Sequence, residues 1–111
     1  MLENEYPWNQ IVYFVSDVYS ITRKFPIGDT ENLGMRMRRA AVAVSAAFNF
    51  FPAEMLILKK HEHLYPLLSS IAILETYLLL AKNQCLGVNL DGIDENLQKL
   101  KGMVVRLMDD E

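Results

Sequence analysis

The sequence predicts an all-α protein, an antiparallel up-and-down four-helix bundle whose third helix is kinked or interrupted near Pro66. Three observations support this fold. Apolar residues recur at steps of three and four, no segment alternates cleanly with a period of two, and proline, glycine and aspartate divide the chain into four segments. Amphipathic helices joined by short turns bury their apolar faces against one another, which favours a bundle.

The first predicted helix spans residues 7–25, because proline at position 7 suits the first turn of a helix. Phe14 and Ile21 lie off its main apolar stripe, so we expect them to contact another subunit. Residues 26–29 break this helix, and Asp29 or Thr30 is the expected N-cap of the next one. The predicted core stripe consists of Trp8, Ile11, Val15, Val18, Thr22 and Phe25.

The second predicted helix spans residues 31–51 and ends before Pro52. The side facing away from its core stripe is also apolar, where a solvated face would carry lysine, glutamate or glutamine. A helix that is apolar on two sides is usually buried on two sides, so we expect a subunit interface formed by Val42, Ala43, Ala46 and Phe50. The core stripe consists of Leu33, Met37, Ala41, Val44, Phe48 and Phe51.

The third predicted helix spans residues 54–86 and the fourth spans 93–108. Proline inside a helix removes a backbone hydrogen bond, which predicts the kink or the interruption at Pro66. The lone cysteine, Cys85, is expected to pack as a small apolar side chain in a reducing compartment. The two core stripes are Leu64, Leu67, Ile71, Leu74, Leu78, Ala81 and Cys85, and Ile93, Leu97, Leu100, Val104 and Leu107.

Length and composition predict one domain, residues 1–111, in the cytoplasm. The chain is 51% hydrophobic with a net charge of −3, and oligomerisation would cover that excess of apolar residues. The negative charge argues against a general binder of polyanions. The N-terminus lacks the pattern of a secretory signal, and the longest apolar runs are shorter than a membrane span, so no membrane contact is expected.

The three arginines near residue 37 do not form one patch on a helix. At about 100° per residue, Arg36 and Arg38 fall on opposite flanks of the core face and Arg39 points away from it. Glu75 has apolar neighbours on the third helix and needs a partner there. We therefore predict a structural ion pair between Arg38 and Glu75, with Arg36 as the other candidate partner for that carboxylate.

A nucleic-acid contact is the functional alternative for the remaining cations, which are Arg36, Arg39, Lys59 and Lys60. His61 and His63 are two residues apart and do not share a helical face, which argues against a zinc site. Paired inward carboxylates, a nucleophile with its base and a glycine-rich phosphate loop are not evident in the sequence. We expect no catalytic residue, no metal, no cofactor and no small-molecule substrate.

Three motifs in order resemble one known family. They are WNQIVYFVSDVYSITRKFP at residues 8–26, LGMRMRRAAVAV at 33–44 and LETYLLLAK at 74–82. These segments resemble the opening, the central arginine-pair motif and the third-helix motif of the 23S rRNA intervening-sequence proteins, also called the four-helix-bundle protein family. The resemblance spans residues 8–108 and implies an up-and-down bundle that assembles as a homopentamer without catalytic activity.

The same resemblance implies RNA, or a nucleic-acid-processing protein, as a partner. A related group serves as the accessory protein of diversity-generating retroelements. Where the family continues with polar residues after the arginine pair, this chain has Phe48, Phe50 and Phe51. This replacement favours an enlarged subunit interface or a different partner over the family's nucleic-acid surface.

The leading hypothesis is therefore a non-catalytic, cytoplasmic homo-oligomer, pentameric by resemblance, that acts as an adaptor or scaffold. The first alternative is an RNA-binding or single-stranded-DNA-binding protein whose basic surface is assembled by the symmetry of the oligomer. An enzyme is the least favoured alternative.

Overall fold

The computed structural model describes residues 8–49 and 60–109. Within these ranges every regular element is helical. Predictions for Phe50, Phe51 and Lys59 lie outside the described residues. Side chains are not described for Trp8, Asn9, Asn49, Lys60, His61, His63 and Leu107. The four long helices are α1 (Trp8–Thr22), α2 (Met35–Asn49), α3 (Lys60–Asn83) and α4 (Asp91–Asp109).

The path into α2 begins earlier than the sequence predicts. A single α-helical turn, Ile27–Asp29, and a π-helical segment, Thr30–Gly34, lead into α2 without a break. Asp29 occupies the N-cap position of the π-helical segment, but it has helical φ and ψ of −75° and −29° and its side chain makes no capping hydrogen bond. Thr30 instead donates its hydroxyl back to the carbonyl oxygen of Phe25 at 2.9 Å.

Gly34 allows the π-helical segment to approach the end of α1. A Cβ atom on this residue would lie 3.3 Å from the carbonyl oxygen of Asp29 and 3.4 Å from Cβ of Thr22. The first of these contacts would be tighter than ordinary van der Waals packing. Gly34 is buried, so the close approach fixes how α2 starts against the C-terminal turn of α1.

The predicted core stripes of α2, α3 and α4 are confirmed for the residues whose side chains are described, except Cys85. Leu33, in the π-helical segment, begins the stripe that continues along α2, and Leu64 begins the stripe of α3. Both form one cluster with the α4 stripe, since amphipathic helices bury their apolar faces together. The buried members are Leu33, Met37, Ala41, Val44 and Phe48, then Leu64, Leu67, Ile71, Leu74, Leu78 and Ala81, then Ile93, Leu97, Leu100 and Val104.

The core face of α1 is rotated relative to the predicted stripe. Phe14 is 1% exposed and belongs to the core, whereas Val15 is only half-buried. Ile21 is half-buried and packs against the same core. The prediction that Phe14 contacts another subunit is therefore wrong, because this chain already covers its ring.

Pro66 lies inside α3 and does not interrupt it. The helix runs continuously from Lys60 to Asn83. Proline has no backbone N–H to donate to the carbonyl four residues earlier, and this loss is confined to the second turn of α3. The carbonyl of Pro66 itself accepts a hydrogen bond of 3.1 Å from Ser70 Oγ. The alternative of an interruption is wrong for the described helix, and the kink stays a prediction.

Cys85 does not continue the α3 stripe. The helix ends at Asn83, and Cys85 is exposed with a φ of 50°. Gly87 follows with a φ of 78°. Left-handed residues turn the chain away from the helix axis, as at many helix C-termini. The prediction of a packed cysteine is therefore wrong, because the helix stops before its periodicity can bury the thiol.

An ion pair ties the end of α3 to the start of α4. Lys82 Nζ lies 2.6 Å from Asp94 Oδ2 and 3.7 Å from Asp91 Oδ1. The hydrogen bond from Lys82 lowers the pKa of Asp94, and the same bond raises the pKa of Lys82. Asn89 Oδ1 accepts the backbone N–H of Asp91 at 2.9 Å, which satisfies one donor of the first turn of α4.

The helix contacts place each long helix beside two others. α2 contacts α1 and α3, while α4 contacts α3 and α1. The structure is therefore an all-α fold resembling a helical bundle, with two opposite sides formed by the α2–α3 pair and the α1–α4 pair. The prediction of a single domain stays a prediction.

The segment Leu64–Asn83 of α3 is long and apolar enough to cross a membrane by length and composition alone. Core helices of soluble proteins meet the same criterion, so this is weak evidence. The inward residues of this segment pack into the common core. The expected lack of membrane contact stays a prediction.

Candidate functional site

A groove between the start of α2 and the middle of α3 is a concave surface that joins cations to exposed apolar groups. Its volume is about 500 Å³. One wall comes from the π-helical segment and the first turns of α2, and the other comes from α3. We call it the α2–α3 groove; it is lined by Glu31, Asn32, Met35, Arg36, Arg39, Ala40, Ile73 and Tyr77.

Arg36 and Arg39 form the cationic half of the α2–α3 groove. Arg36 Nε donates to Asn32 Oδ1 at 3.4 Å, and an N–H of Arg39 lies 3.6 Å from the sulfur of Met35. Both partners are neutral and lie one turn earlier. Neither guanidinium forms an ion pair with a residue that the structure describes, so both charges face solvent.

Ile73 and Tyr77 form the apolar half of the groove, one turn apart on α3. The Ile73 side chain is 53% exposed and Tyr77 is half-buried. The α3 wall of the groove contributes no carboxylate. Glu31, on the opposite wall, is the one acid among the described residues of the lining. Two cations therefore stand beside an aliphatic and an aromatic side chain with little competing negative charge.

The outward side of α2 carries the apolar surface that the sequence predicts as an interface. Val42 is 46% exposed, and Ala43 and Ala46 are exposed. Leu80, on α3, is also exposed and lies one turn beyond the groove. The apolar surface therefore extends over two neighbouring helices. Contact with a second subunit at this surface stays a prediction, and Phe50 lies outside the described residues.

Arg38 faces α1 and joins the two helices. Its Nε donates to Thr22 Oγ1 at 2.8 Å, and its guanidinium lies 5.4 Å from the centre of the Tyr19 ring. The buried Thr22 hydroxyl donates in turn to the carbonyl of Val18 at 2.7 Å. These two hydrogen bonds explain why a polar threonine occupies the core stripe, since both the donor and the acceptor of its hydroxyl are satisfied.

The predicted ion pair between Arg38 and Glu75 is wrong. Glu75 lies on the α4 side of α3, where Lys101 Nζ approaches it at 3.3 Å and Gln98 donates to it at 2.9 Å. Arg38 lies on the α1 side of α2. A helical wheel gives the angle of each residue around its own helix but does not say which neighbour occupies each flank.

Of the four cations predicted to contact nucleic acid, the structure brings two together. Arg36 and Arg39 share the groove, Lys59 lies outside the described residues, and the side chain of Lys60 is not described. Among the described residues, no group of histidine, cysteine and acidic side chains is arranged to hold a metal ion.

The sequence reasoning missed the α3 wall of the groove. Ile73, Tyr77 and Leu80 follow steps of four and three, which form a second apolar stripe beside the core stripe of the same helix. This signal was present in the sequence. A helix with two apolar stripes presents one of them to something other than its own core.

Comparisons with models of protein families, with curated proteins and with solved structures found no significant match to this chain.

The hydrogen bond between Arg38 and Thr22 allows a test of whether Arg38 pairs with Thr22 and not with Glu75. Replacing Thr22 by Val removes the acceptor of Arg38 Nε, and we expect a loss of about 1–2 kcal/mol in the free energy of unfolding. A double-mutant cycle of Thr22→Val with Arg38→Met, measured by urea unfolding, should show a coupling energy of about 0.5 kcal/mol or more.

The matched control for this cycle combines Arg38→Met with Glu75→Gln. The two changes in the free energy of unfolding should add within about 0.5 kcal/mol, because Arg38 and Glu75 contact different neighbouring helices. A larger coupling for Arg38 with Glu75 than for Arg38 with Thr22 would contradict the structure.

Proposed function

We propose that this protein is a non-catalytic homo-oligomer of antiparallel four-helix subunits that serves as an adaptor or scaffold. The observation that carries the proposal is the set of exposed apolar side chains on two neighbouring helices, Val42 on α2 and Ile73 and Leu80 on α3. Fully burying one such side chain is worth roughly 1.5–3 kcal/mol. A second subunit on this surface would therefore gain binding free energy from each of them.

The composition of α2 supports self-association as the use of this surface. Between the arginines and the end of the helix, its outward positions are Val42, Ala43 and Ala46. Small side chains allow two helices to approach closely, and a larger residue such as Val42 supplies contact area. Apolar character combined with few charges is typical of the buried centre of subunit interfaces.

The resemblance to the 23S rRNA intervening-sequence proteins supports a pentamer as the assembly. The ordered motifs around the opening tryptophan, the arginine pair and the Leu-Glu-Thr segment carry this proposal. We propose membership of that family on these motifs alone. A proline kink in α3 at Pro66 belongs to the same proposal, since the missing backbone bond bends most helices there.

A binding role fits the described surface better than catalysis. The groove brings Arg36 and Arg39 next to apolar groups but offers neither a paired acid and base nor an activated nucleophile. A location in the cytoplasm is supported by the exposed, unpaired Cys85, because free surface thiols persist in reducing compartments.

Light scattering with size-exclusion chromatography tests the assembly. We expect the wild-type chain to show a mass several times the 12.8 kDa of one subunit. Ala46→Asp should lower this mass, because a carboxylate would be buried without a partner at the interface. The control Val105→Asp changes an exposed residue of α4 and should leave the mass unchanged. A monomeric wild type at micromolar concentration would refute the proposal.

The second candidate function is binding of single-stranded RNA along the groove. The observation that favours it is the pairing of two unneutralised guanidinium groups with the Tyr77 ring, since phosphates contact cations and bases stack on aromatic rings. In this alternative the symmetry of the oligomer repeats a weak patch around one axis.

Fluorescence anisotropy with a labelled oligonucleotide at two salt concentrations tests this candidate. The double change Arg36→Ala with Arg39→Ala removes both groove cations and should weaken binding. The slope of log affinity against log salt concentration should fall by the amount expected for about two phosphate contacts. The control pair Arg23→Ala with Lys24→Ala removes the same charge from exposed positions after α1. Lack of oligonucleotide binding at low salt, or an equal loss of affinity in the two double variants, would exclude the groove as the binding site.

A further inference from the structure

The two opposite sides of the subunit carry complementary features. The α2–α3 side contains the groove with its two free cations and its apolar wall. The α1–α4 side carries an exposed aromatic residue, Tyr13, whose side chain is 69% exposed. Since α1 and α4 contact each other, as do α2 and α3, these features lie on different sides of one subunit.

Tyr13 projects from a mixed polar and apolar setting on the α1–α4 side. It borders a small cavity of about 200 Å³ between the two helices, whose lining also includes Phe14, Leu100 and three polar residues, Gln10, Asn96 and Lys99. Asp17 lies one turn further along α1, is exposed and makes no ion pair with any described residue. An aromatic ring and a free carboxylate therefore stand next to each other at a separation of four residues, on neighbouring turns of the helix.

The groove offers matching groups for this pair. Arg36 and Arg39 can accept a ring over their guanidinium planes or form charge-assisted hydrogen bonds with a carboxylate. Ile73 and Tyr77 offer the apolar contact that a tyrosine ring requires. The volume of about 500 Å³ is larger than a tyrosine side chain needs, so a ring and part of a neighbouring residue fit together.

The charges of the two helices favour contact between unlike sides. α2 contains three arginines and no acidic residue, whereas α1 contains Asp17 and no basic residue. Two α2–α3 sides would bring like charges together, which costs binding free energy. An α2–α3 side against an α1–α4 side brings Arg36 and Arg39 near Asp17. Lys99, the cation that lines the cavity beside Tyr13, lies 3.9 Å from Glu95 on its own helix.

We propose that Tyr13 of one subunit inserts into the α2–α3 groove of the next subunit, with Asp17 beside Arg36 and Arg39. This inference rests on the proposed self-association and specifies how it occurs. Contact between two different sides is head-to-tail, so an open chain of subunits leaves one unused side at each end until a ring closes. In a closed ring, every groove holds Tyr13 of the neighbouring subunit.

Two single variants test the two halves of the contact separately. Tyr13→Ser removes the inserted ring, and Ile73→Asp places a carboxylate on the apolar wall of the groove. Both residues are exposed in one subunit, so circular dichroism should show the wild-type helix content. We expect each change to weaken association by ~30-fold or more, as removal of a central anchor does. Tyr13→Phe and Val105→Asp are the controls and should keep the wild-type mass.

Mixing the two variants distinguishes a head-to-tail contact from a symmetric one. The Tyr13→Ser chain retains an intact groove, and the Ile73→Asp chain retains an intact tyrosine. A mixture should form a 1:1 dimer, of about twice 12.8 kDa, through the one intact contact, while each variant alone stays monomeric. Light scattering measures all three masses.

The possible outcomes separate this inference from the proposed function. A wild-type oligomer whose mass neither variant changes overturns the inference, leaves self-association intact and leaves the groove to another occupant such as nucleic acid. If both variants are monomeric and their mixture forms no dimer, the inference is also overturned. That result would mean that the contact is symmetric and needs Tyr13 and Ile73 on both chains. A monomeric wild type overturns the proposed function and the inference together.

Discussion

The structure depends on how the apolar residues of α2 are distributed around that helix. One stripe, including Met37 and Val44, fills the common core with residues from the other three long helices. The opposite side, with Val42, Ala43 and Ala46, remains exposed where polar residues would ordinarily lie. A single subunit can bury only one side of this helix. α3 also carries exposed apolar side chains, at Ile73 and Leu80, so uncovered apolar groups lie on two neighbouring helices. Association is the expected use of such groups.

The three arginines have separate roles because the helix directs them to different neighbours. Arg38 is held by Thr22 and by the face of the Tyr19 ring, so it joins α2 to α1. Arg36 and Arg39 have only neutral contacts one turn earlier and keep their charge available in the groove. Glu75, the carboxylate that the sequence would have paired with Arg38 or Arg36, is satisfied on the other side of α3. Among the described residues, Arg36 and Arg39 have no acidic partner, which suits an anionic or aromatic contact.

Much of the fold could be predicted because steps of three and four fix which residues of a long helix point inward. This worked for α2, for α4 and for most of α3. It failed on α1, where Phe14 and Val15 are both apolar and adjacent, so that the pattern did not separate the core residue from its neighbour. It failed at Cys85 because the helix ends at Asn83, and the rhythm of the sequence does not show where a helix stops. The partners of Arg38 and Glu75 could not be predicted, since they depend on which helix lies on each flank. Of the candidate site, the outward surface of α2 was predicted, whereas the α3 wall became visible only when Ile73 and Tyr77 were seen beside the arginines.

Solvent exposure of individual methyl groups in the assembled protein is the most direct measurement of whether the α2–α3 surface is covered. Relaxation by a soluble paramagnetic chelate reports this exposure for isoleucine and valine methyls. Coverage by another subunit predicts that Ile73 and Val42 are protected from the chelate, although both are about half exposed in the single chain, while Val105 on α4 relaxes fast. Relaxation of Ile73 and Val42 as fast as that of Val105, at concentrations where the chain is fully folded, would show that the surface faces water and would contradict self-association through it.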